Sequence, residues 1–169
     1  MLLSGSAARA EEAADVPVQD YIRLHVIAND DGEAAQALKL EVRDAVLAAA
    51  RALLADCGGA DEAWRRVGEN LEALEAAAIE RARASGYTGP VRAEAGVFAF
   101  PDRQYGALLV PAGDYRAVRV VIGAGEGHNW WCVLFPTLCL PGDIEPGAPV
   151  RFHSAIADWL RGLMKEEAP

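Results

Sequence analysis

Apolar and polar positions along the chain change period several times, and each change marks an element. Tyr21 to Ala28 alternates, with Arg23 and His25 breaking an apolar run, which predicts a strand with one buried face. Asn29-Asp30-Asp31-Gly32 stops it and offers an N-cap. Leu38, Val42, Ala45, Ala49 and Leu53 then recur at helical spacing and predict a helix from Glu33 to Ala55, with Lys39, Arg43 and Asp44 off its apolar stripe. Gly58-Gly59 ends it. Asp61 caps a second helix, Glu62 to Ala84, whose face is Trp64, Val67, Leu71, Leu74 and Ala78. A short glycine loop between two such helices predicts an antiparallel pair.

The pattern then turns to period two. Val91 to Phe100 alternates, with Arg92 and Glu94 facing solvent. Gly106 to Val110 and Tyr115 to Ile122 read as strands flanking the turn Pro111-Ala112-Gly113-Asp114, and predict a hairpin. Gly123-Ala124-Gly125-Glu126-Gly127 reads as a flexible hinge loop. Asn129 to Leu140 is apolar, Pro141 to Pro149 is a connector, and Phe152 to Lys165 is a last amphipathic helix. The order β-α-α-β-β-β-loop-α, without a helix between each pair of strands, predicts an α+β domain: a mostly antiparallel sheet packed on the helical pair.

Composition narrows the function classes. The 169 residues suit one domain, placed at 21–165 after a linker at 1–20. A net charge of −9 argues against nucleic acid, which needs a basic face, and against docking on anionic lipid. No run is long enough for a transmembrane helix. Ala8-Arg9-Ala10 has the small-x-small form of a signal-peptide cleavage site, with the charged start and most of the apolar core missing; the alternative is an Ala-rich tail.

The candidate chemistry is sparse. Gly123-x-Gly125-x-Gly127 lacks the spacing, the following helix and the lysine of a nucleotide loop. Cys132 with His25 or His128 could form a thiol hydrolase, but Val133-Leu134-Phe135-Pro136 is not the helix start that activates a thiolate. Cys132, Cys139, His128 and His153 lack the close ligand pairs of a zinc site, so no metal or cofactor is expected. Cys132 and Cys139, with six residues between them, are a candidate disulfide or a buried thiol pair, and Cys57 is left over. Trp130-Trp131 should point to opposite sides of an extended segment, one ring in the core and the other exposed as a candidate partner contact; the alternative is that both rings plug the core. The polar group Asn29, Asp31, Lys39, Arg43 and Asp44 is a second candidate binding cluster; the alternative is capping and intrahelical ion pairing.

These segments carry a resemblance. Tyr21 to Asn29, Gln36-x-Leu38-Lys39 and Val42-Arg43-Asp44-x-Val46 resemble the start of the stage II sporulation protein R family. Leu109-x-Pro111-Ala112-Gly113-x-Tyr115 and Gly123-x-Gly125-x-Gly127-x-Asn129-Trp130-Trp131-Cys132-Val133-Leu134-Phe135-Pro136-x-Leu138-Cys139 resemble its later part. The chain departs from that pattern at Asp30, Ala35 and Thr137. The resemblance implies a protein made in the forespore and secreted into the space between the two membranes. There it would trigger a membrane-embedded aspartic-type protease of the mother cell, which processes a pro-sigma factor. It also implies that the protein is a signal rather than a catalyst. On the reading of the aromatic run given above, Asn129, Trp130 and Trp131 are candidate contacts.

Overall fold

A computed structural model describes residues 18–105 and 108–136. A 3-10 turn, Val18–Asp20, leads into β1 (Ile22–Ile27). Three helices follow: α1 (Glu33–Leu54), α2 (Ala60–Glu69) and α3 (Leu71–Ala84). The rest is β2 (Val91–Phe100), β3 (Arg103–Tyr105), β4 (Leu108–Val110), β5 (Gly113–Ile122) and β6 (Asn129–Phe135). The expected leader, the connector and the final helix Phe152–Lys165 lie outside the described residues.

The fold class is α+β, with a four-stranded sheet in the order β2-β5-β1-β6. β2 with β5 and β1 with β6 are antiparallel, whereas β1 with β5 is parallel. α1 packs on α3, and the helices cover one face of the sheet. Leu24, Val26, Val118, Val120 and Cys132 meet Val42, Val46 and Leu74 there, in the larger core.

Three expectations need correction. The hairpin between Gly106–Val110 and Tyr115–Ile122 does not form: β4 pairs with β3, and β5 joins the main sheet. Ten residues of β5 match ten of β2 in continuous register, and its other edge takes β1. A three-residue strand offers far less pairing and burial than that. The second helix is two, because Asn70 leaves helical geometry at φ −122° and its Nδ2 donates to the Arg66 carbonyl at 2.9 Å. Asparagine side chains compete with the helical ladder in this way.

The third correction concerns β1, which is buried on both faces. Beneath the sheet a second cluster gathers Tyr21, Phe100, Tyr105, Val110, Tyr115, Ala117 and Val133. Arg23 is wholly inside it. Its guanidinium lies 4.4 Å from the Phe100 ring centroid, 5.0 Å from Tyr115 and 5.9 Å from Tyr105. Nη2 donates to Tyr105 Oη at 2.8 Å and Nε to the Cys132 carbonyl at 3.3 Å, while Nη1 has no partner. Aromatic faces thus stand in for the carboxylate a buried cation usually has.

This arrangement separates charge from packing. Arg23→Ala opens a cavity and is expected to cost about 3 kcal/mol. Arg23→Met fills the space without a buried charge and should stay within about 1.5 kcal/mol of the parent. Urea unfolding of both variants checks this; a Met variant as unstable as the Ala variant would mean that the charge itself holds the face.

Candidate functional site

The chain places its candidate residues around the end of β1. β6 lies beside β1 with Val26 opposite Trp130 and Ile27 opposite Asn129. α1 starts just beyond β1 and packs against β6. Two segments a hundred residues apart therefore form one surface.

The Gly123–Gly127 loop is a packed clasp rather than a hinge. Gly123 and Gly125 have φ of +61° and +65°, which glycine adopts without strain. A Cβ on Gly127 would run into the Asp30 backbone carbonyl. The loop is fastened to the β1 end by Gly127 N–H to the Ala28 carbonyl at 3.0 Å and Glu126 N–H to the Asn29 carbonyl at 3.1 Å. Asn29 Oδ1 in turn accepts from Ala124 N–H at 2.9 Å.

The polar cluster joins elements instead of capping a helix. The N-cap of α1 is Gly32, without a side-chain cap, and Asp30 Oδ1 accepts from Gly32 N–H at 2.7 Å. Asp31 Oδ1 accepts from His128 N–H at 2.7 Å and contacts His128 Nδ1. Those bonds hold the Asp31 carboxyl below its usual range, the backbone bond first. Lys39 lies buried on α1, with Nζ donating to Gln36 Oε1 at 2.5 Å and to the His128 carbonyl at 3.0 Å. Burial pushes its pKa down. Gln36 and His128 are the members that periodicity missed; Gln36 sits one helical turn before Lys39, and that spacing was the available signal.

Arg43 and Trp130 complete this surface. The Arg43 guanidinium lies 4.8 Å from the Trp130 ring centroid and bonds Asp44 Oδ1 at 2.8 Å. Trp130 is half-buried on the helix side. Trp131 turns to the other face, as alternation requires. It stacks on His25 at 4.9 Å and 14° and meets Phe100 edge-on at 4.9 Å. So Asn29, Asp31, Lys39, Arg43, Asp44 and Trp130 gather on the helix side of this edge, whereas Trp131 and, by the same alternation, Asn129 turn to the other face.

Beside this surface a cleft of about 490 Å³ opens between the start of α1 and the end of α3, lined by Asn29, Asp30, Leu38, Glu41, Ser85 and Tyr87. It lies just beyond the carboxyl end of β1, next to its parallel neighbour, where open sheets with parallel strands commonly place binding crevices. Among the described residues no group of His, Cys, Asp and Glu could hold a metal ion. No described helix is long and apolar enough to cross a membrane.

Cys132 is fully buried against the helices. Its expected disulfide partner Cys139 lies outside the described residues. Cys57 is a free thiol whose pKa is raised, chiefly by burial.

Fold and surface together describe a small α+β domain that presents a polar-aromatic patch at one sheet edge. The profile of stage II sporulation protein R matches residues 18–144. The stage II sporulation protein R of Bacillus subtilis strain 168 is 35% identical over 160 residues, covering 89% of this chain and 71% of that protein. The chain therefore belongs to the stage II sporulation protein R family and is a stage II sporulation protein. No solved structure matches it.

Two outcomes test this geometry. His25 is buried with neither ring nitrogen bonded, and its pKa falls from 6.5 to about 4 through burial, then repulsion by Arg119 and Arg23, against a smaller pull from Glu94. Between those values the unfolded chain takes up a proton that the folded one refuses. Stability should therefore fall as the pH drops from 6.5 towards 4, by up to about 1.4 kcal/mol per pH unit. His25→Phe should remove that slope above the carboxylate range, in urea titrations between pH 6.5 and 5. Separately, non-reducing peptide mapping decides between the two sequence readings of Cys132 and Cys139: a recovered Cys132–Cys139 peptide, with Cys57 alone alkylated, is the disulfide outcome, and two thiols that alkylate only on unfolding are the buried-pair outcome.

Proposed function

We propose that this protein is a secreted intercompartmental signal of sporulation, passing from the forespore into the intermembrane space. There it triggers a membrane-embedded, aspartic-type protease of the mother cell to process a pro-sigma factor. The observation that carries the reading is the surface where Trp130, Arg43 and the Asn29–Asp31 loop converge. A half-buried tryptophan under an arginine, packed on the core by one face, leaves part of its ring and the guanidinium available to a partner, and both residue types supply much of the energy at protein contacts. The patch is rigid before any partner arrives, since the glycine loop and Lys39 tie β1, α1 and β6 together. Rigid surfaces lose less entropy on binding. Family membership supports the sporulation setting. Complete burial of Cys132 speaks against its use as a nucleophile in a thiol hydrolase.

The test is sigma-factor processing in sporulating cells that carry single variants. Trp130→Ala and Arg43→Glu are expected to reduce processing at least tenfold while the purified proteins keep their melting temperatures within a few degrees, as partly exposed interface side chains do. Trp131→Ala should instead lose stability, by about 2–3 kcal/mol, because it opens the second core. Folded, exported Trp130 and Arg43 variants that process the factor at the parent rate would overturn the proposed contact surface.

A further inference from the structure

β2 forms the edge of the sheet opposite to β6. It pairs with β5 in register from Val91–Ile122 to Phe100–Gly113, with no bulge. In an antiparallel ladder alternate residues turn their amides and carbonyls inward and outward. The Pro90 carbonyl accepts from Gly123 N–H at 2.8 Å, and Ala93 N–H donates outward to Glu75 at 2.7 Å. Even-numbered residues therefore face β5, and Ala93, Ala95, Val97 and Ala99 face outward.

Glu75 occupies the outward amide at Ala93, and Pro101 offers none at the other end. Between these limits the amides of Ala95, Val97 and Ala99 have no partner among the described residues. Val97 is 65% exposed, although it is a large apolar residue in a strand. Free edges are normally blunted by lysine, proline or a bulge, and this stretch has none.

We propose that β2 pairs antiparallel with β2 of a second copy of this chain, centred on Val97. The outward set is self-complementary about that residue. Val97 would exchange both hydrogen bonds with its own counterpart, and Ala95 would do so with the second copy's Ala99. The ladder would end where Ala93 meets Pro101, the pair already closed by Glu75 and by the missing proline amide. The same register sets exposed Arg92 opposite the exposed Asp102 of the other copy, on one face of the joined sheet. Opposite charges directly across a ladder favour that register over its neighbours. A two-fold axis makes both copies use one patch, the usual form of a homodimer.

The test is sedimentation equilibrium of the full chain over a concentration series, with circular dichroism to verify folding. The parent is expected to form dimers. Val97→Lys places two ammonium groups on the axis and should weaken association at least tenfold; exposed Val97 tolerates it without loss of the fold. Arg92→Asp and Asp102→Arg should each weaken the dimer, and the two together should restore it. In a Cys57→Ser background, Val97→Cys should give a covalent dimer on mild oxidation and Ala95→Cys should not, because only the axial residue meets itself. A parent that stays monomeric throughout the series overturns the proposal. So does a dimer that is indifferent to Val97→Lys, or one cross-linked equally by Ala95→Cys.

Discussion

Enclosure of β1 on both faces is the constraint on which the rest depends. β1 takes β5 on one side and β6 on the other, so its backbone is fully engaged. Its side chains then need cover above and below. The helices supply it for Leu24 and Val26, and the aromatic cluster supplies it for Arg23 and His25. A strand that carries an arginine and a histidine inward can do so only where something replaces water. Here ring faces solvate the guanidinium, and histidine stays neutral.

That constraint also explains where the surface patch forms. With β1 in the middle, its carboxyl end projects the Asn29–Asp31 loop between the start of α1 and the loop before β6. The glycines of that second loop admit the close approach, and Asp31 and Lys39 then fasten His128 from two directions. Trp130 follows two residues later and is delivered beneath Arg43. In the Asn-Trp-Trp run one ring faces α1 and the next faces the buried histidine.

Much of this was legible in the sequence, and the failures have physical causes. Period-two and helical spacing located β1, α1, β2 and β5 closely, because each buries a continuous face, whereas β6 read only as an apolar run beyond the last expected strand, since an unbroken apolar run carries no alternation. The opposite facing of Trp130 and Trp131 held because neighbours in any extended segment point to opposite sides. The hairpin misreading arose because a turn signal at Pro111–Gly113 says where a chain bends, not which strand it will pair with. Pairing was settled by length, with β5 matching all of β2. Arg23 and His25 read as solvent-facing because residue type reports polarity, and the aromatic cover comes from four distant segments. The polar cluster was visible as a group, but its purpose was not, since the Lys39–His128 bond spans most of the domain.

The sheet order separates two demands that often compete. β6, with its tryptophans, lies at one edge and β2 at the other, with β5 and β1 between. Association through β2 would leave the Trp130 surface of each copy uncovered. Those surfaces would stand at the two ends of a continuous sheet, roughly 30 Å or more apart at about 4.8 Å per strand spacing. A ligand built this way presents the same patch twice in fixed geometry. In the proposed signalling role, two target molecules would then be held together without any new contact, because the second binding event becomes intramolecular. The rigidity of β1 is what would make that spacing definite. It locks both edges to one frame, so an arrangement at Val97 fixes the separation of the two Trp130 patches.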